Sequence, residues 1–145
     1  MRVDVRGLDK ILVAVKELQE VDKNKAIKTG IRRALGIIRN RGKANLKAKK
    51  GKYSTGNLIK SIGVKIKRNK LGGLSGFNRS GSHAHLVDLG TKRRTTKQGL
   101  NRGKMPANYF WNSAINESSD KAVNTLFESI ENAVTKIINR NANKV

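Results

Sequence analysis

Between Asp22 and Glu117 the chain carries one carboxylate, Asp88, within His83-Ala84-His85-Leu86-Val87-Asp88-Leu89-Gly90-Thr91. From Lys23 to Lys104 that single acid stands against 24 Lys and Arg residues. A fold built on this stretch cannot lean on internal ion pairs. It must place the cations outside and hold itself together by burying aliphatic side chains. The lone anion, embedded among apolar residues, is poorly suited to metal or acid–base chemistry. It is better suited to holding a shape beside something negatively charged.

At 145 residues a single domain, 1–145, is expected, because a core of this size buries about two thirds of the surface of the unfolded chain. Aromatics make up 4% and hydrophobic residues 37%, so Ile, Leu, Val and Ala must supply most of the core. A net charge of +22 implies strong self-repulsion that folding alone does not require. A polyanionic partner explains it, with nucleic acid first and an acidic protein second. A membrane is not expected as a partner, since no helix joins a basic face to Trp and Phe anchors. Cysteine is absent, which excludes disulfides, thiol nucleophiles and Cys-ligated zinc. Met1 to Lys10 lacks an apolar signal segment, and no run approaches the roughly 18 to 20 residues of a membrane span. Synthesis and function in a cytoplasm, or in a particle assembled there, are expected.

The alternation in Met1 to Arg6 predicts a short edge strand ending at Gly7. Leu8, Ile11, Leu12, Val15 and Leu18 then mark one face of a helix over residues 8–20. Asp22 is placed to cap a second helix, with Ile27, Ile31, Leu35, Ile38 and Leu46 as its buried stripe and Gly51 as its C-terminal cap. Thr55 can cap a single helical turn. Ile62, Val64 and Ile66 alternate with Gly63, Lys65 and Lys67 as in a half-buried strand. A turn at 69–73, a second strand at 74–78 and another turn at 79–82 follow. His83 to Leu89 reads as a third strand, with His85 and Asp88 on opposite faces. A final helix is expected from Ser119 to Asn139, its face marked by Val123, Leu126, Phe127, Ile130, Val134 and Ile137.

No catalytic constellation emerges. His83 and His85 would share one face of the expected strand, but no third ligand accompanies them. Clustered carboxylates for a two-metal nuclease are missing. Leu46 stands where a phosphate-binding loop ending at Gly51-Lys52 needs glycine, and Gly72 to Gly76 lacks the spacing of a nucleophile elbow. Neither an enzymatic activity nor a cofactor is expected.

Three spaced signals remain: Thr55-Gly56-Asn57-Leu58 with Ser61-Ile62, then Ala84-His85 with Asp88 and Gly90-Thr91, then Pro106-Ala107 with Phe110. In this order, behind two helices and ahead of a long one, they resemble the tail-component family of tailed bacteriophages and prophages. The resemblance covers nearly the whole chain. His83 and Leu86 depart from it where aromatics are common, Asn108-Tyr109 replaces a frequent Arg-Pro, and the basic insert Lys92 to Lys104 is longer than usual.

The resemblance implies an α+β fold, with a small antiparallel sheet packed against two N-terminal helices and one long C-terminal helix. It implies a structural virion protein, assembled in the bacterial cytoplasm, that acts in head-to-tail joining or tail completion. Its partners would be further copies of itself in a ring, phage connector and tail proteins, and DNA met without sequence specificity. Physical reading of the same residues agrees with a scaffold. Gly56 and Gly90 end regular elements, and Pro106 fixes the backbone before the last helix. Asp88 can accept hydrogen bonds from Thr91 or pair with a nearby Arg or Lys.

Thr91 to Lys104 has two glycines, one large aliphatic residue and six cations, Lys92, Arg93, Arg94, Lys97, Arg102 and Lys104. So little apolar surface points to a flexible loop, or one that orders on a partner or on DNA. The rival reading is a nonspecific nucleic-acid-binding protein of ribosomal or nucleoid type. Its charge fits, but its aromatics do not form a stacking strand.

Overall fold

The computed structural model describes Lys16 and residues 20–49 and 56–142. The strand expected at 1–6, nearly all of the helix expected at 8–20, and the caps expected from Gly51 and Thr55 lie outside the described residues. The elements are helix α1 (Glu20–Ala48), helix α2 (Asn57–Ser61), strands β1 (Ile62–Ile66) and β2 (Gly73–Phe77), a 3-10 turn (Arg79–Gly81), helix α3 (Ala84–Leu89) and helix α4 (Phe110–Ala142). The fold is α+β, and the described residues include one two-stranded antiparallel sheet.

The chain divides into two compact units. One comprises Met1–Ile37, Val64–Leu74 and Ser118–Val145; the other comprises Ile38–Gly63 and Ser75–Glu117. In the first, α1 begins with Glu20 and Asp22 in its opening turn, where acids complement the positive end of the helix dipole. Asp22 therefore lies inside the helix rather than capping it. The fully buried row of α1 here is Ala26, Gly30 and Ala34, while the expected stripe of Ile27, Ile31 and Leu35 is only half-buried. The reason is close helix approach. A Cβ on Gly30 would fall 2.7 Å from Ile130 Cγ1 and 2.9 Å from the Leu126 carbonyl oxygen of α4. On α4 the buried residues of this unit are also mostly small, Ser118, Ala122 and Ser129, joined by Val134. The larger aliphatics flank this row, and Ile31 and Leu35 meet β2 at Gly73.

The hairpin is framed by two bonds, from Asn78 N–H to the Ser61 carbonyl and from Lys67 N–H to the Gly72 carbonyl, both 3.0 Å. That register sets Ile62 opposite Phe77 and Ile66 opposite Gly73. Ile62, Val64 and Ile66 face inward while Gly63 and Lys65 are exposed, as the alternation predicts.

The second unit holds the larger side chains. Leu46, Ile62 and Phe110 form its buried cluster, with Leu58, Ile59, Phe77, Val87 and Trp111 packed around it. Phe77 makes T-shaped ring contacts with Phe110 and Trp111, at centroid distances of 6.0 and 4.9 Å.

Two expectations are corrected here. His83 to Leu89 is helical, not a strand: Leu86 and Val87 N–H both donate to the His83 carbonyl. Ala84 and Asp88 are buried and Val87 half-buried, which is three-to-four-residue spacing. Seven residues with a single β-branched member fit either period, and the helical one wins. His83 and His85 therefore do not share the face of a strand. The last helix starts at Phe110 rather than Ser119. Its first buried row is Phe110, Ala114 and Ser118, and small and polar members conceal that stripe in the sequence.

Candidate assembly site around Asp88 and the basic arm

The described residues of the three spaced signals, from Gly56 onward, lie together in the second unit. Gly56 precedes α2 with φ 79°, and from α2 Leu58 reaches the Leu46–Ile62–Phe110 cluster. Helix α3 buries Ala84 and sets Val87 against the same cluster. His85 is exposed, its Nδ1 3.0 Å from the Ser82 carbonyl. Pro106 is exposed and Ala107 half-buried, while Phe110 is completely buried.

Asp88 joins these parts, and not through the partners expected of it. Its Oδ1 accepts from the backbone N–H of Trp111 at 2.7 Å and of Asn112 at 3.4 Å. Its carbonyl accepts from Asn108 and Tyr109 N–H at 3.1 and 2.8 Å. Neither Thr91 nor a cation pairs with the carboxylate among the described residues. The side chain instead caps α4, satisfying N–H groups that have no partner within the helix and placing negative charge at its positive end. These bonds also hold Tyr109 at φ 53°, a left-handed conformation that costs a non-glycine residue about 1 to 2 kcal/mol.

Asp88→Ala is expected to destabilise the fold by about 1 to 2 kcal/mol, the usual loss for a helix cap. Asp88→Asn, which keeps an acceptor oxygen, should lose less. Denaturant melts of both variants check this; equal, negligible losses would mean the cap is dispensable.

A polar row at the end of α1, Arg41 and Asn45 on the helix and Lys49 just past it, recurs every four residues beside the same junction. Asn45 Nδ2 donates to the Phe110 carbonyl at 3.2 Å and Lys49 Nζ to the Asn108 carbonyl at 2.6 Å. Arg41 pairs with Glu117. The four-residue spacing was visible in the sequence, but nothing there linked it to residues 59 to 76 positions away.

The hydrogen bond from Arg41 holds the Glu117 carboxyl below its ordinary range; partial desolvation opposes this, and Asn45 and Lys49 add to it. A depressed carboxyl stabilises the fold above its unfolded-state pKa, and that contribution is lost as pH falls through the folded value. Arg41→Ala should therefore move the Glu117 midpoint upward in a carbon-detected NMR titration. An unmoved midpoint would remove Arg41 as the cause.

Thr91 to Met105 leaves this junction as an arm. Thr91 N–H donates to the Met105 carbonyl and Met105 N–H to Thr91 Oγ1, both at 2.9 Å, closing the base. Further out, Arg94 N–H bonds to the Gly103 carbonyl, Arg102 N–H to the Arg94 carbonyl, and Thr96 N–H to the Leu100 carbonyl. Thr95 and Asn101 form an antiparallel bridge. Backbone bonds, rather than apolar side chains, connect the two sides of the arm. All six cations of the arm are exposed.

Beside α3 lies an open cavity of about 310 Å³, lined by Phe77, Gly81, Ala84, His85, Leu89 and Trp111 among others. Its walls are mainly apolar, and the Asp88 carboxylate at its edge is engaged by α4. No group of three or more metal-ligating side chains stands together among the described residues. No helix among them is long and apolar enough to cross a membrane. No protein-family model, curated protein or solved structure matches the chain.

Proposed function

We propose that this protein is a structural virion component of a tailed phage or prophage, acting in head-to-tail joining or tail completion through self-association. The observation that carries the reading is the meeting of the three spaced signals at one junction. Leu58, Val87 and Phe110 share a core, Asp88 caps the last helix, and Gly90-Thr91 closes against Met105 to Ala107. Residues set so far apart in the chain, and converging without an evident catalytic group, support a scaffold that presents surfaces. The exposed apolar side chains near this junction, Leu86, Leu89, Met105 and Tyr109, support contact with further copies. The proposed partners are those copies, a connector on the head side and tail proteins on the other, and the site of action is the virion.

Deleting the gene from the element that encodes it tests the reading. Electron microscopy of the lysate should show heads and tails made but not joined, or tails left incomplete. Intact virions in normal numbers would refute it.

A further inference from the structure

We infer that the arm from Thr91 to Lys104 is a grip for the backbone of duplex DNA. The Thr95–Asn101 bridge and the Arg102 N–H bond to the Arg94 carbonyl set Arg94 and Arg102 directly across from each other. Like charges in that arrangement repel, and no described acid pairs with either. Lys92, Arg93 and Lys104 follow within two residues, and Lys97 lies in the turn at the tip, between Thr96 and Gly99. The only nearby carboxylate in sequence, Asp88, is occupied by α4. The anion that relieves this ribbon must come from another molecule.

Two features favour DNA over an acidic protein. A protein interface needs an apolar centre, usually with aromatics, and the arm offers one aliphatic side chain, Leu100, and no aromatic one. Duplex DNA presents a charge about every 1.7 Å of its axis and binds cations mainly through release of counterions. A two-stranded ribbon is also narrow enough for the major groove. With nothing to stack on bases, the grip holds phosphates and is indifferent to sequence. The inference deepens the assembly reading, in which the DNA is the genome crossing the joint.

The test is the salt dependence of binding to an unrelated duplex, measured by fluorescence anisotropy on the full chain. One variant carries Lys92→Ala, Arg94→Ala, Arg102→Ala and Lys104→Ala; a charge-matched control carries Lys25→Ala, Arg32→Ala, Arg33→Ala and Lys47→Ala on α1. Four lost phosphate contacts should flatten the slope of log K against log salt by about 3 to 4 in the arm variant, and by about 1 or less in the control. Arg94→Lys with Arg102→Lys should keep the parental slope. Should the fourfold arm variant fail to fold, Arg94→Ala with Arg102→Ala alone should flatten the slope by about 2. Equal flattening in arm variant and control would overturn the grip. So would unchanged duplex binding with lost binding to polyglutamate, which would assign the arm to an acidic protein. Sedimentation of the same samples reports self-association separately, so failure of the grip and failure of the assembly reading are distinguishable.

Discussion

Phe110→Ala is expected to destabilise the protein by about 3 to 5 kcal/mol, the range for truncating a fully buried aromatic side chain. Phe110 is 0% exposed, clusters with Leu46 and Ile62 in the buried core, and makes a T-shaped ring contact with Phe77. It is also the first residue of α4, one step past Tyr109, so its anchor and the turn before it stand together. Trp111→Ala should cost less, because Trp111 is only half-buried, although it packs on Phe77 and fills the space beside Gly42. Lys97→Ala, at the exposed tip of the arm, should melt as the parent does. Thermal and denaturant melts of the three variants check this order. A Phe110→Ala variant melting with the parent would mean that the junction is not part of the core.

Gly90→Ala is expected to be as damaging, for a backbone reason. Gly90 has φ 76° and ψ −175°, a region essentially confined to glycine, and a side chain there costs about 1 to 3 kcal/mol on its own. The added Cβ would also fall 2.7 Å from the Met105 carbonyl oxygen and 2.8 Å from Ala107 N. Those are backbone atoms that cannot swing aside, so the base of the arm would have to open. Gly99, also at positive φ but with nothing near its would-be Cβ, is the control: Gly99→Ala should carry the conformational cost alone. Denaturant melts of both variants measure the difference. Equal losses would show that the contact with Met105 to Ala107 adds nothing.

How far the sequence revealed this arrangement depends on how local each cause is. The alternation of Ile62, Val64 and Ile66 is local, and β1 follows it. β2 lies within one residue of its expected place. The three-to-four spacing of α1 located the helix and its Leu46 contact with the core, but not the buried row of Ala26, Gly30 and Ala34, where α4 comes close enough to Gly30 to leave no room for a Cβ. The run from His83 to Leu89 is short enough to satisfy two periods, and only its packing against the core decides for helix. Asp88 stood out as the lone acid, yet its partners are backbone groups 23 and 24 residues later, which no local pattern encodes. The Gly90-Thr91 and Pro106-Ala107 steps were legible as turns; their contact with each other was not.

Sedimentation velocity across a concentration series is the direct test of the proposed self-association. Runs in moderate salt and without DNA separate self-association from bridging by a polyanion. The expected result is a discrete oligomer of one size that persists on dilution and is disrupted by Leu89→Asp while that variant keeps its parental melt. A monomer at every concentration, binding unrelated duplexes with steep salt dependence, would contradict it and favour a nonspecific nucleic-acid-binding protein.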